Sequence, residues 1–505
     1  MQIKIYDGAE SIGGTKIYLS QENSGIFLDF GLNFNTFGLY FKEFLQMRAG
    51  RGLNDPIEMG LLPKISIYRR DLIPSDLSTR DFEKIKVDAI LISHAHADHF
   101  GCVGFVDFNI PIAASPMTLA IIKALSDCGH TSVGMDAFYS SKRERKRDGR
   151  VLDTINWRKS DSIGSRPLIF TEKLEENLKE FMSMHPNKKR SFNFENYDTS
   201  TIAFNVRTYP VDHSIYGARA YVVEGEETVA YTGDIRLHGE NGYLTLEFAK
   251  KARDSSILIV EGTRTSRHEH SSTSERDVKE NIKKDLDEAD GLVIIDFSAR
   301  NFERLKSIDE ISRNLRELVI TEKDFYTLHA LKAAGLNIIS SNMRVYRPLK
   351  IKREKWIEYL EENTDIEDRY INPEEIRKDE DNFILSFSLY DMPNLLDIKP
   401  KKGTYIYSST EALDEEQEFD FITLNNWLKR FNFETKGFRI NAEGKPEFDK
   451  GYHASGHASP EDLKKIIDTI DPDIIIPVHT INSMWFTENY QERVRIVRNG
   501  ESIKF

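Results

Sequence analysis

His94-Ala95-His96-Ala97-Asp98-His99 follows directly on Lys86-Val87-Asp88-Ala89-Ile90-Leu91-Ile92-Ser93, and the junction of these two runs decides the fold. Val87 and Ala89 to Ile92 are apolar and read as a short buried strand. Phe100-Gly101-Cys102-Val103-Gly104 opens the next element. Side chains at i, i+2, i+4 and i+5 converge only if the strand breaks into a turn. Imidazoles beside a carboxylate suit Zn²⁺, and two such groups of ligands suit a pair of ions. Histidine is scarce, at 13 in 505 residues, so three in six positions point to a metal site rather than a histidine-rich surface loop.

Three further residues extend the set. His213 lies in Tyr209-Pro210-Val211-Asp212-His213-Ser214, just before an apolar segment at 218–223. Asp234 ends Val229-Ala230-Tyr231-Thr232-Gly233-Asp234, a strand whose glycine lets the backbone approach the site closely. His479 comes much later, in Ile474-Ile475-Ile476-Pro477-Val478-His479-Thr480.

His94, His96, Asp98 and His99, then His213, then Asp234, resemble motifs two to four of the metallo-β-lactamase superfamily. Ile257-Leu258-Ile259-Val260-Glu261-Gly262-Thr263 ends a strand on an acidic residue, and His453-Ala454-Ser455-Gly456-His457 precedes the Pro-Val-His segment. In that order they resemble motifs A, B and C of the β-CASP nucleases, nearest to the ribonuclease J group and its short archaeal form. The resemblance spans most of the chain.

It implies a metallo-β-lactamase αββα sandwich with an inserted β-CASP α/β domain built on a parallel sheet. The sandwich is expected from 1–285 plus 448–505, with insertions near 34–85 and 127–200, and the β-CASP domain from 286–447. It also implies two Zn²⁺ per chain, with Mn²⁺ or Mg²⁺ as substitutes. One is assigned to His94, His96, His213 and Asp234, the other to Asp98, His99, Asp234 and His479. Asp98 would orient the attacking water and accept its proton, while His457, held by Glu261, would protonate the leaving oxygen. His453 and Ser455 would bind the phosphate on the leaving side. Phe297-Ser298-Ala299-Arg300-Asn301-Phe302-Glu303-Arg304 resembles a further family segment. It has one extra residue and places Glu303 where a histidine is expected; Asn301 and Arg304 are carried over as contacts to the RNA backbone. His238 reads equally as a site residue or a turn residue, and His268 and His270 read as a surface loop.

Composition bounds the rest. A chain of 505 residues, 39% hydrophobic and 11% aromatic, has ordinary globular cores and, by its length, two domains. Two cysteines, Cys102 and Cys128, argue against a disulfide framework. No basic leader with an apolar core opens the chain and no run reaches membrane-span length, so the expectation is a cytoplasmic protein without the separate carboxy-terminal domain of many ribonucleases J. The net charge of −13 sits awkwardly with a polyanion substrate. Lys142-Arg143-Glu144-Arg145-Lys146-Arg147 and Lys188-Lys189-Arg190 are local basic clusters, read either as solvated loops or as nucleic-acid contacts.

Glycine turns at the start predict a hairpin with strands at 2–6, 16–19 and 25–28. Asp29, ending the third, reads as a turn residue, with orientation of a ligand imidazole as the alternative. Helices are expected at 40–47 and 116–126, followed by about seventy irregular, basic residues. From 275 on, helices at 275–286, 302–315 and 323–333 alternate with strands at 291–297 and 317–321, a βαβ pattern that predicts a parallel sheet. Strands at 384–387 and 404–408 and a helix at 421–431 continue it.

The function implied is a zinc-dependent ribonuclease acting on single-stranded RNA, a 5′-to-3′ exonuclease with endonuclease action alongside, no membrane partner, and a homodimer. A histidine at motif C, here His479, accompanies RNA-acting members of the family. The alternatives are a small-molecule metallo-hydrolase of lactonase or phosphodiesterase type, or a DNA nuclease of the same superfamily.

Overall fold

The computed structural model describes all residues except 43–44, 130–132, 140, 156–165, 187–195, 198–201, 267–272, 299 and 410–414. Lys188-Lys189-Arg190, His268, His270 and the start of the acidic run at Glu411 therefore lie outside the described residues. The chain divides into two compact units. One comprises Met1–Leu237, Asn241–His268 and His457–Phe505, the other His238–Glu240 and Glu269–Gly456.

The first unit is built on two sheets. Gln2–Asp7, Lys16–Gln21 and Ser24–Leu28 form an antiparallel meander. Alternation places Ile3 and Ile5 inward and Lys4 outward. Ser24–Leu28 then pairs in parallel with Ala89–Leu91, which pairs with Ile112–Ala114, which pairs with Leu168–Phe170. All three of these short strands are buried at every residue, so their apolar runs do not alternate. The second sheet has the order Asn205–Pro210, Arg219–Glu224, Thr228–Tyr231, Ile257–Glu261, Ile474–Val478. Its last two strands are parallel, with Glu261 opposite Val478, although a whole unit separates them in sequence.

Ile3, Ile17, Leu28 and Leu91 of the first sheet pack with Tyr221, Val223, Ile259 and Ile476 of the second. Each such side chain taken from water contributes roughly 1.5–3 kcal/mol, enough in sum to hold the distant strand 474–478 in place. Helices Gly242–Lys251 and Pro460–Ile470 cover the second sheet through Phe248, Ile466 and Ile467.

The second unit carries a parallel sheet ordered Tyr370–Ile371, Met343–Tyr346, Glu317–Ile320, Phe383–Leu385, Leu292–Asp296, Gly403–Tyr407, Phe433–Lys436. Its helices Glu275–Glu288 and Glu322–Ala333 start on capping boxes from Ser274 and Thr321. This is the expected α/β insertion.

Two expectations need correction. The first helix runs from Phe34 to Tyr40, not over 40–47, because the Asn33 side chain caps it by accepting the Thr36 amide and Phe41 is already extended. The stretch after the helix Pro116–Cys128 is not irregular throughout. It contains the hairpin Arg143–Lys146 with Val151–Thr154, the core strand Leu168–Phe170 and the helix Glu176–Ser183; an apolar strand of three residues is too short to show periodicity. The compact units part at 237/238, 240/241, 268/269 and 456/457. Helix Glu275–Glu288 goes with the second unit because Glu275 is paired with the buried Arg304. Strand Pro446–Phe448 does so because it pairs with Phe438–Ile440.

Candidate metal centre

The strand Ala89–Leu91 delivers Ser93 and His94 to the sheet's end, and His96 starts the short helix Ala97–Phe100. That turn is clamped to the loop after Ser24–Leu28. Phe30 N–H donates to His99 O at 2.8 Å and Leu32 N–H to Ala97 O at 2.9 Å. Only glycine fits at position 31, where a Cβ would stand 1.6 Å from Asp98 O. Gly233, at φ 56°, similarly lets its strand end pass Ser93.

All seven predicted ligands converge within the first unit. His94, His96, His213 and Asp234 each bring one ligand atom to within 4.8 Å of the others, and so do Asp98, His99, Asp234 and His479. In the first group His96 Nδ1 lies 3.0 Å from His94 Nε2 and 3.1 Å from His213 Nε2. Asp234 Oδ2 lies 3.6 Å from His94 Nε2 and 3.8 Å from His213 Nε2. In the second, Asp98 Oδ2 is 3.2 Å from His479 Nε2 and 3.7 Å from His99 Nε2. Asp234 Oδ2 is 3.2 Å from His99 Nε2.

These spacings fit divalent cations. Ligands about 2.0–2.1 Å from a tetrahedral Zn²⁺ stand ~3.3 Å from one another. Among the described residues, His99 Nε2 and Asp234 Oδ1 are buried and make no hydrogen bond, which is costly for polar atoms unless a cation engages them.

The outer contacts set the tautomers. Asp29, at φ 61°, accepts from Ser93 N–H at 2.7 Å, Ser93 Oγ at 2.8 Å, Tyr231 OH at 2.6 Å and His99 Nδ1 at 2.7 Å. With its proton on Nδ1, His99 presents a bare Nε2 inward. Asp29 is thus more than a turn residue. Arg236 and Asp212, both buried, pair at 3.2 Å on either side of His213 and Asp234 in sequence. Burial among His99 and His213 holds the His94 imidazole well below its usual value. Burial opposes the charge on Asp234, yet His479, His99 and His457 hold its carboxyl well below the usual range.

Glu261 and His457 also lie here, with His457 Nδ1 3.1 Å from Glu261 Oε2. Burial disfavours the imidazolium, but Glu261 and then Asp234 outweigh it and raise His457 to about 9. Glu261, His457, Asp234 and His479 make a third cluster of ligand type. Sequence reading missed the residue at its centre. Thr263 Oγ1 donates to Glu261 Oε2 at 2.6 Å and lies 3.1 Å from His457 Nδ1 and 2.8 Å from His479 Nδ1. Its only sequence signal is a hydroxyl two residues after Glu261 at a strand end.

The remaining candidates fall in the second unit. His453 and Ser455 are half-buried in a loop, and Ser455 O lies 2.8 Å from His238 Nε2. The assignment of Asn301 and Arg304 to RNA contact is corrected. Asn301 Oδ1 caps helix Phe302–Ser312 by accepting Arg304 N–H. Arg304 is 1% exposed, and its guanidinium donates to Glu275 Oε2 at 2.8 Å and Ser408 O at 2.7 Å. Glu303, in the histidine's place, is also buried and accepts Glu240 N–H at 2.7 Å. In the described basic cluster, Arg145 donates to Ile73 O and Lys146 pairs with Glu144.

The metallo-β-lactamase superfamily model matches residues 61–117, which hold the first four ligands. Over these residues the chain is similar to the metallo-β-lactamase superfamily. A second family, described as a Zn-dependent metallo-hydrolase RNA specificity domain, matches residues 446–484, which hold His453, Ser455, His457 and His479. With its parallel-sheet unit between these two stretches, the chain resembles ribonucleases J of β-CASP type. The ribonuclease J of Methanocaldococcus jannaschii is 22% identical over 100% of this chain and 99% of its own length. That of Pyrococcus abyssi is 22% identical over 94% of this chain and 89% of its length. Against the ribonuclease J of Helicobacter pylori, 20% identical, the match spans only 55% of the relative. A crystal structure of a protein of unknown function from Enterococcus faecalis V583 shares the fold, with TM-score 0.66, 22% identity and 99% coverage of both chains. No helix among the described residues is long and apolar enough to cross a membrane.

Proposed function

We propose that this protein is a metal-dependent ribonuclease that hydrolyses phosphodiester bonds of single-stranded RNA. The reading is carried by two four-residue ligand groups that share Asp234, in a chain whose relatives are ribonucleases J. His94, His96, His213 and Asp234 would hold one ion, and Asp98, His99, Asp234 and His479 the other; zinc fits this nitrogen-rich set. When bound, such a pair supplies Lewis acidity toward water and the phosphoryl oxygens.

The protein's own groups do the rest. Asp98 Oδ2, less deeply buried than Asp234, accepts the proton of the attacking water. Glu261 accepts from His457 Nδ1 and fixes the ring, which leaves the proton on Nε2 for the departing oxygen. His453 and Ser455 bind the phosphate on the leaving side. Cleavage proceeds from the 5′ end, with some internal cutting, in a homodimer in the cytoplasm.

The test uses protein stripped of metal and reconstituted with Zn²⁺ or Mn²⁺, given 5′-monophosphorylated, 5′-triphosphorylated and circular RNA. Metal-dependent loss of linear RNA is expected, with His457→Ala slowed by about 10²–10⁴-fold. Circles cut as fast as linear RNA would exclude strict exonuclease action. No cleavage with either metal would overturn the ribonuclease reading.

A further inference from the structure

We propose that the second unit holds a pocket for one unstacked, amino-bearing nucleobase, at the carboxyl ends of strands Leu292–Asp296, Phe383–Leu385 and Gly403–Tyr407. The proposal rests on the RNA-acting reading above and names a contact that reading does not contain.

Topology opens the crevice. From Leu292–Asp296 the chain runs through helix Phe302–Ser312 to Glu317–Ile320, on one side of the sheet. From Phe383–Leu385, the neighbour on that side, it crosses back to Gly403–Tyr407 on the other. These two adjacent strands send their connections in opposite directions, which right-handed crossovers carry to opposite faces of the sheet, and parallel α/β sheets bind ligands at the strand ends between such connections.

A cavity of about 290 Å³ lies at this point, lined among others by Asp296, Phe297, Ser298, Tyr390, Tyr407 and Ser409. That is the small end of the range for ligand sites, about 300–1,000 Å³, and suits one planar ring. Tyr407 and Phe421 meet edge to face with centroids 5.0 Å apart, and Leu424 adds an apolar wall. Tyr390 is 85% exposed, an aromatic ring left in water where a base could stack on it.

Polar groups supply the selectivity. Ser298 Oγ and Ser409 Oγ are 3.0 Å apart, so the pair retains both a donor and acceptors for a base edge. Asp296 accepts from Tyr405 OH at 2.6 Å, and burial pushes its carboxyl up to about 7. Near neutrality it can accept from an exocyclic amine or donate to a ring nitrogen. The described lining contains Asp296 and Asp420 but no lysine, arginine or histidine. A phosphate or carboxylate finds no cationic side chain in the described lining and meets two carboxyl groups, whereas the amino groups of adenine, cytosine and guanine find acceptors.

The experiment measures adenosine, cytidine, guanosine and uridine binding to the full chain by ligand-observed NMR, alongside RNA cleavage. It compares the wild type with Leu424→Trp, which fills the cavity, and Tyr390→Ala, whose exposed site spares the fold. The amino-bearing nucleosides should bind more tightly than uridine, weaken by about 10-fold in both variants, and be matched by a similar rise in KM for RNA. Uridine binding as tightly as adenosine, or affinities equal across the variants, would overturn the pocket. RNA cleavage persisting in that case leaves the ribonuclease reading standing. Nucleosides lost selectively from the variants while the wild type cuts no RNA would remove the ribonuclease reading and leave the pocket.

Discussion

Thr263 Oγ1 stands 2.8 Å from His479 Nδ1, so a residue outside the ligand set fixes the ring of the most distant ligand in sequence. The hydroxyl gives its one proton to Glu261 at 2.6 Å and is therefore an acceptor toward His479. His479 Nδ1 is thereby placed to donate to Thr263, and its Nε2 faces Asp98 Oδ2 at 3.2 Å.

Thr263→Val keeps the shape and removes that acceptor. Loss of such an outer contact lowers metal affinity by about 10–100-fold. Competition titration with a chromogenic chelator should show the drop, and urea unfolding of the metal-free protein a loss of about 1–3 kcal/mol from the donor that the buried Glu261 no longer has. Unaltered affinity would show that the ring is held by packing alone.

Asp29→Asn acts on the other side of the centre. His99 loses the carboxylate 2.7 Å from its Nδ1, and metal affinity should fall by about the same 10–100-fold. Tyr231→Phe, which removes one donor to the same buried carboxylate, should cost about 1–3 kcal/mol in urea unfolding and leave the metal stoichiometry as it was.

Arg304→Met breaks a buried pair with Glu275, whose side chains are 1% and 6% exposed. An uncompensated buried carboxylate should destabilise the protein by about 3–5 kcal/mol, read by urea denaturation. Arg304 makes no backbone contact with RNA on this account, so the salt dependence of RNA binding should keep its slope. A shallower slope with unchanged stability would reinstate it as a phosphate contact.

Asp296 makes stability pH-dependent. Burial raises its carboxyl from 3.8 to about 7 in the folded protein, so the folded state holds the proton more tightly than the unfolded one. Its penalty is absent below about pH 4, grows as pH rises, and is complete above about pH 7. Wild type should therefore lose stability across that window relative to Asp296→Asn. Parallel pH profiles for the two proteins would contradict the raised pKa.

Residue chemistry pointed to the seven ligands, because metal ligation demands particular side chains at strand ends whatever surrounds them, and the resemblance to the β-CASP nucleases added Glu261 and His457. Alternation and apolar runs likewise located the first three strands of the chain and the central strands of the second unit's parallel sheet. What only tertiary structure decided was the use of groups whose chemistry is common. Thr263, Asp29, Tyr231 and Arg236 acquire roles from neighbours tens or hundreds of residues away. Asn301 and Arg304 stand in a motif-like segment but turn inward to a helix cap and a buried carboxylate. The three-residue strand Leu168–Phe170 carries too little pattern to announce itself and forms because Ile112–Ala114 offers it an edge. Local sequence sets what a side chain can do, whereas burial and partners, which depend on the whole folded chain, set which of those things it does.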